Sequence, residues 1–154
     1  MTSAERRVRF ITPYLRNARE RIELAKLSSS RRFYNNAVRL CQEAVELCLK
    51  SVLRLYGIEY PRAHDVGHVL RQYSNLFPDW FRERIPEIAR MSRDLCYNRG
   101  PAMYGDEDAE VPPEELYDET DAAEAIKGAT LVYELSTRLL EERVGRRADA
   151  HGGV

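Results

Sequence analysis

The chain has 154 residues, which suits one compact domain with a hydrophobic core of its own. Its 24 Lys and Arg residues nearly balance its 25 Asp and Glu residues, which argues against a strongly basic nucleic-acid binder and leaves room only for a local basic patch. The three cysteines form no CxxC pair, which favours buried free thiols over a disulfide framework or a zinc site.

The N-terminal stretch MTSAERRVRF contains no apolar core of signal-peptide length, and no run of about 18 apolar residues occurs in the chain. We therefore expect a cytoplasmic protein with no membrane partner. The first predicted helix starts at either Ser3 or Thr12, because Thr12 before Pro13 fits an N-cap and a first helical position. It ends near Lys26, and the serines at 28–30 are predicted to terminate it.

The second predicted helix, from about Arg31 to Tyr56, carries the strongest helical pattern in the chain. Its apolar stripe consists of Tyr34, Ala37, Val38, Cys41, Ala44, Val45, Cys48, Leu49 and Val52. Several of these side chains are small, which permits close helix packing in the core or at a subunit interface equally well. Gly57 is the expected C-terminal stop.

Shorter elements are predicted between residues 58 and 97. Asp65 is expected to cap a third helix that runs to about Asn75. Pro78 begins a fourth segment, and Pro86 divides it because a proline inside a helix removes a hydrogen bond and clashes with the preceding turn.

The stretch NRGPAMYGDED, residues 98–108, is predicted to interrupt the helical pattern. A last helix is predicted from about Asp118 to Val144. Residues 1–145 then form a single helical domain, and residues 146–154 form a polar, flexible tail. Four to five helices with short connections predict an all-α, up-and-down bundle.

Two segments of the chain resemble the HEPN domain family (higher eukaryotes and prokaryotes nucleotide-binding), in its small stand-alone archaeal and bacterial form. RRFYNNAVRLCQEAVELCLKSVLRLYGIEYPRAHDVGHVL is similar to the family's long helix and the P-x-x-H-D-[LV] loop after it. RGPAMYGDEDAEVPPEELYDETDAAEAIKGATLVYE is similar to its arginine segment, acidic loop and last helix. The resemblance covers roughly residues 4–140 and depends on the order and spacing of these motifs.

The resemblance implies a helical bundle that is often a homodimer and that has a link to nucleotides or RNA. Many members of the family are metal-independent ribonucleases in which an R-x(4–6)-H motif from both subunits forms a shared cleft. Others partner a minimal nucleotidyltransferase in toxin–antitoxin-type pairs, and some are non-catalytic. Neither a cofactor nor a metal is implied.

This chain departs from the family's motif at the histidine. Counting from Arg99, the histidine position holds Tyr104, and counting from Arg93 it falls on residues 98–100, which contain no histidine. Arginine can stabilise developing phosphate charge, and the tyrosine hydroxyl can donate to a phosphate but is a poor base. We therefore predict a phosphate site formed by Arg93, Asn98, Arg99 and Tyr104, with Arg99 and Tyr104 as candidate catalytic residues of a weak or inactive ribonuclease.

The same residues also have structural interpretations. Arg99 can instead hold its loop or pair with the acids at 106–108, Tyr104 can anchor the loop, and Asn98 can close the preceding helix. His64 is interpreted as part of a helix cap, since nothing in the sequence places it near Arg99, and with His68 it lacks a third metal ligand. The alternative function is a non-catalytic helical partner for a minimal nucleotidyltransferase.

Overall fold

The computed structural model describes the backbone of residues 1–152 and the side chains of residues 1–146. This described part is all-α: its elements are helices, and its one β-type pairing is an isolated bridge between Asp106 and Val111. The elements are α1 (Ser3–Ser30), α2 (Tyr34–Leu55), α3 (Gly67–Gln72), a 3-10 turn (Ser74–Leu76), α4 (Asp79–Arg82), α5 (Ile85–Tyr97), α6 (Arg99–Tyr104), α7 (Pro113–Leu116) and α8 (Glu119–Gly152). The all-α prediction is confirmed, but short helices occupy stretches predicted as loops, so the helices outnumber the predicted four to five.

Three long helices form the centre of the fold. α1 and α2 are antiparallel neighbours, since Arg54 near the end of α2 lies over the ring of Phe10 near the start of α1. α8 runs parallel to α2, because Arg143 near its end lies over the ring of Tyr56, which follows α2. The largest fully buried side chains include Ile11, Leu49, Leu53, Leu70, Phe77, Phe81, Ile85, Ile88 and Leu139.

The cysteines of α2 belong to this core. Cys41 and Cys48 are free and fully buried, while Cys96 of α5 is half-buried. Burial raises the pKa of the Cys41 and Cys48 thiols to about 12, because a thiolate loses its hydration in an apolar interior. The prediction of buried free thiols is confirmed for these two residues.

Of the two predicted starts of the first helix, Ser3 and Thr12, the structure shows Ser3. Thr2 caps the helix: its hydroxyl accepts from the Glu5 amide at 3.1 Å, and the Glu5 carboxylate accepts from the Thr2 amide at 2.8 Å. Pro13 consequently lies inside the helix rather than at its first turn. The predicted end near Lys26 is wrong, since the serines at 28–30 complete the last turn and Ser30 bonds back to the Leu27 carbonyl at 2.6 Å.

Smaller boundaries also differ from the predictions. Gly57, with φ of 68°, follows the end of α2 as predicted, and Asp65 accepts from the Gly67 amide at 3.0 Å at the start of α3. α3 ends at Gln72 rather than Asn75.

The end of α8 lies beyond the predicted one. α8 continues to Gly152, past the predicted end at Val144. The predicted flexible tail at 146–154 reaches residues outside the described part of the chain and stays a prediction. Among the described residues, no helix combines the length and the apolar composition needed to cross a bilayer.

Candidate functional site

Arg99 begins α6 and extends its guanidinium towards α2. Its Nη1 donates to the side-chain oxygen of Gln42 at 2.6 Å. Gln42 is only 2% exposed, so this acceptor is held firmly by the surrounding core. Because an amide oxygen is neutral, Gln42 orients the guanidinium without cancelling its charge.

Gln42 also connects Arg99 to a carboxylate one turn further along α2. Its Nε2 donates to Glu46 Oε1 at 3.0 Å, and Lys50 Nζ lies 3.2 Å from Glu46 Oε2. His64 Nδ1 lies 2.9 Å from Glu46 Oε1. Arg99 and His64, which the sequence left unconnected, therefore stand at the two ends of one hydrogen-bonded chain.

The Glu46 carboxylate is ionised in this network. Burial raises its pKa, but hydrogen bonds from Gln42, His64 and Lys50, together with the charge of Lys50, outweigh that effect and hold the pKa below its ordinary value of 4.5. An ionised carboxylate only accepts hydrogen bonds, so His64 must carry a proton on Nδ1. This arrangement leaves Nε2 of the imidazole for a second partner.

A second arginine meets Arg99 where α2 and α6 pack together. Arg39 Nη1 donates to the Arg99 carbonyl at 3.3 Å and approaches the Met103 sulfur at 3.4 Å. Its buried Nε has no hydrogen-bond partner among the described residues. Sequence reasoning missed Arg39, Gln42 and Glu46. Their spacing along α2, which places polar residues on one face of an otherwise apolar helix, is the signal that points to them.

Tyr104 lies elsewhere. It lines an open groove of about 840 Å³ together with Asn98 and the acids at 106–108, and Arg99 is not among the groove's lining residues. Both residues belong to the same short helix, and a separation of five residues turns their side chains about 140° apart. Within one chain the two side chains therefore face different surfaces, and their joint role at one phosphate stays a prediction.

The other two predicted residues are held by local bonds. The Asn98 side chain donates to the Asp94 carbonyl at 2.8 Å and accepts from the Tyr117 hydroxyl at 2.9 Å, so it closes α5. Burial, followed by the nearby charge of Asp121, raises the pKa of that hydroxyl, which therefore stays a donor. Arg93 is 68% exposed and lies 4.0 Å from the carboxylate of Asp94. Their roles in binding a phosphate stay predictions.

Residues 12–140 match the model of the HEPN domain. The chain belongs to the HEPN family. It is 31% identical over 144 residues to a protein of Methanocaldococcus jannaschii named "Putative toxin MJ1304", covering 90% of this chain and 93% of the relative.

Two solved structures have the same HEPN fold. ST0689, described as an archaeal HEPN homologue, superposes with a TM-score of 0.66 at 26% identity, over 84% of this chain and 97% of its own. TT1696 from Thermus thermophilus superposes with a TM-score of 0.67 at 20% identity, over 83% of this chain and 96% of its own. The second likeness, at this lower identity, concerns the fold alone.

The acidic loop of this HEPN chain does not neutralise Arg99. Gly105, with φ of 75°, turns the chain out of α6, and backbone bonds of 2.9 and 3.0 Å between Asp106 and Val111 close the loop on itself. Asp106 accepts from the Ala109 amide at 3.0 Å. The alternative in which Arg99 pairs with these acids is wrong, because no ion pair among the described residues joins them and the Arg99 guanidinium bonds to Gln42 instead.

His64 and His68 lie on different parts of the backbone at the start of α3. His64 precedes α3 and His68 lies inside it, so the two do not share a helical face. Within the part of the chain that the structure describes, no group of three or more His, Cys, Asp or Glu side chains is arranged to hold a metal ion.

Proposed function

We propose that this HEPN protein binds a phosphate group of RNA or of a nucleotide at Arg39 and Arg99. The observation that carries the proposal is the meeting of these two arginines at the contact of α2 with α6, where Arg39 bonds to the Arg99 carbonyl and Gln42 holds the Arg99 guanidinium. Among residues 1–146, the ion pairs include neither arginine. Two arginines at one helix contact, neither paired with a carboxylate among these residues, suit a dianionic ligand.

Arginine is suited to this role because its planar guanidinium donates two parallel hydrogen bonds to a phosphate. Arg99 is half-buried, and partial burial strengthens its attraction for a phosphate relative to a fully hydrated charge. The neutral Gln42 acceptor contributes orientation at no electrostatic cost. Binding at this position needs neither Tyr104 nor Arg93.

A second candidate function is slow, metal-independent cleavage of the bound RNA. The hydrogen bond between His64 and the ionised Glu46 supports it, because a carboxylate behind an imidazole orients the ring and fixes the tautomer in which Nε2 accepts a proton. In this reaction His64 accepts the proton of a ribose 2′-hydroxyl, whose oxygen attacks the adjacent phosphorus, and the bond to the 5′-oxygen breaks. The leaving 5′-oxygen takes its proton from water, because no side chain is assigned as the acid, and the cleavage is therefore expected to be slow.

The binding proposal is tested by titrating a nucleoside 5′-triphosphate into the wild type, Arg99→Gln, Arg39→Gln and Arg19→Gln. Arg19 is the matched control, since it lies on α1 with a side chain 58% exposed beside Glu23. Loss of one charge-assisted hydrogen bond is expected to weaken binding about tenfold in the first two variants. Binding within about twofold of the wild type is expected for Arg19→Gln. Equal losses in all three variants would overturn the proposal.

The partner of this site is also a proposal. The side chains of Tyr97, Met103, Tyr104 and Leu116 are exposed near α6, and clusters of exposed apolar side chains favour protein contacts. The relative named as a toxin supports a toxin–antitoxin-type role. We infer a homodimer across this surface; the alternative is a non-catalytic partner of a minimal nucleotidyltransferase, in which case the protein co-purifies with that enzyme.

A further inference from the structure

A second concave surface lies where the start of α1 meets the end of α2 and the loop at 57–64. Two cavities of about 660 and 360 Å³ adjoin each other here, since Arg54 and Tyr60 line both of them. We call this surface the basic groove and define it by Arg6, Arg7, Phe10, Arg54, Tyr60 and Arg62. None of these residues belongs to the Arg39–Arg99 site.

The basic groove concentrates positive charge in a chain whose net charge is −1. Its lining contains the four arginines named above and Lys50, against the two carboxylates of Glu46 and Glu59. Glu46 already bonds to Lys50 and His64. The remaining cations create a local positive potential that attracts a polyanion.

Aromatic rings alternate with these cations. The Arg54 guanidinium carbon lies 4.6 Å from the centre of the Phe10 ring and 5.7 Å from that of Tyr60, and Arg54 Nε donates to the Tyr60 hydroxyl at 2.8 Å. Phe10 is nonetheless 49% exposed, and its ring packs 5.3 Å from that of Tyr14. An exposed ring held beside a fixed guanidinium is a flat platform on which a planar group can stack.

The backbone is shaped to hold this arrangement. Gly57 has φ of 68°, and a Cβ atom there would lie 3.1 Å from a terminal nitrogen of Arg7. The glycine therefore lets the Arg7 guanidinium rest against the turn after α2.

We propose that the basic groove binds a single-stranded nucleic acid. Cations recognise its phosphates, and the exposed Phe10 ring recognises an unpaired base, which a duplex keeps stacked inside. An acidic peptide would satisfy the cations and leave the aromatic platform without a partner. The groove also opens onto the polar face of α2, where Gln42, Glu46, Lys50 and Arg54 follow one another at intervals of four residues.

A longer strand would follow this face to the phosphate site and pass over the Gln42 side chain, which is only 2% exposed. The rise of a helix places Arg54 about 18 Å from Gln42, which holds Arg99. Only this route depends on the proposed function; binding in the groove itself does not. A strand anchored at Arg54 and Phe10 would therefore present one of its phosphates to Arg39 and Arg99.

The test measures fluorescence anisotropy of labelled oligonucleotides of about 12 residues, as RNA, as DNA and as a blunt duplex, with the full chain at several salt concentrations. Arg54→Gln is expected to weaken single-strand binding about tenfold and to reduce the slope of log K against log salt by about 0.7. Phe10→Ala is expected to weaken binding roughly 5- to 100-fold with the slope unchanged. Arg54→Lys should preserve the slope, and Arg19→Gln should bind like the wild type.

Tighter binding of RNA than of DNA, or equal binding of both, supports the proposal, because phosphates and bases are common to the two strands. Duplex binding as tight as single-strand binding, together with a silent Phe10→Ala, overturns it in favour of a general attraction of polyanions. Displacement of the oligonucleotide by an equimolar polyglutamate overturns it in favour of an acidic peptide.

The two sets of variants test the groove proposal and the phosphate-site proposal independently. If Arg99→Gln loses nucleotide binding while Arg54→Gln and Phe10→Ala bind oligonucleotides like the wild type, the groove is wrong and the phosphate site stands. The reverse pattern contradicts the phosphate site and leaves the groove in place. Because Phe10 and Arg54 are both exposed, circular dichroism is expected to find the variants folded.

Discussion

Glu46 connects the two polar surfaces of the molecule at the scale of single residues. On one side it accepts from Gln42, which holds Arg99, and on the other it meets His64 and Lys50 beside the basic groove. Its side chain is 20% exposed, so these partners replace most of its water. A carboxylate in such a position needs all of its hydrogen bonds, because a buried charge without partners is costly.

The stability contributed by Glu46 depends on pH with a definite sign. Because its pKa in the folded chain is lowered from 4.5, the folded state favours the ionised form more strongly than the unfolded state does. The contribution is therefore fully present above about pH 4.5 and is lost as pH falls through the lower folded pKa. Glu46→Gln is expected to reduce the free energy of unfolding by about 1–2 kcal/mol near neutral pH.

Urea unfolding of the wild type and Glu46→Gln at a series of pH values measures this difference. It should stay constant above about pH 5 and shrink below 4.5. Glu23→Gln is the control, because Glu23 is 68% exposed and an exposed ion pair contributes little. A difference that stays constant throughout the acid range would show that the charge of Glu46 contributes nothing to stability.

The candidate site could be predicted only in part. The family resemblance identified Arg99, but its partner Gln42 lies 57 residues away along the chain, and no local pattern encodes that contact. The apolar pattern correctly predicts the helix that carries Arg39 and Glu46. The same pattern identifies only the buried face of this helix, whereas Arg39 and Glu46 lie on its polar face. The family's R-x(4–6)-H motif connects Tyr104 to Arg99, but the motif does not account for a continuing helix, which rotates the two side chains apart.

At the scale of elements, the turn from α6 into the acidic loop depends on Gly105. Its φ is 75°, and a Cβ atom there would clash with the Val111 carbonyl oxygen and lie 2.9 Å from the Pro113 nitrogen. Both are backbone atoms, so no side chain can move aside. Gly105→Ala is expected to reduce the free energy of unfolding by roughly 1–3 kcal/mol and to accelerate amide exchange at Asp106 and Val111.

Gly100 provides the matched control on the same helix. A Cβ atom at Gly100 meets no atom within 4 Å, and the residue lies inside α6. Gly100→Ala is therefore expected to be neutral or to stabilise by up to about 1 kcal/mol. If Gly105→Ala proves as mild as Gly100→Ala in urea unfolding and hydrogen exchange, the loop does not depend on the glycine.

The helices themselves were largely predictable, and their ends were not. The apolar periodicity of α2 and the position of Pro86 at the start of α5 gave these elements directly. A helix end is hard to place when the sequence offers two possible caps. Thr2 and Thr12 can both cap α1, and the helix starts after Thr2 because Glu5 completes a capping box there. α6 was missed because a Gly-Pro pair usually ends a helix, whereas here the proline stands near the start of a new one.

At the scale of the whole molecule, the proposed homodimer depends on the exposed apolar residues near α6. Tyr97 is 81% exposed, and a ring of that size in water is unfavourable without a partner. Its neighbours Met103, Tyr104 and Leu116 extend the apolar surface. The basic groove is formed by α1 and the end of α2 instead, so a dimer through the α6 surface leaves that groove accessible.

Tyr97→Glu is expected to dissociate such a dimer, because association would bury a carboxylate opposite another apolar surface. Leu27→Glu is the matched control, since Leu27 is 51% exposed on α1 and does not line the groove that Tyr97, Tyr104 and Leu116 share. Sedimentation equilibrium should find the wild type and Leu27→Glu dimeric and Tyr97→Glu monomeric, with unchanged circular dichroism. A wild type that sediments as a monomer contradicts the dimer. A Tyr97→Glu variant that stays dimeric places the interface on another surface, which leaves the exposed ring for a nucleotidyltransferase partner.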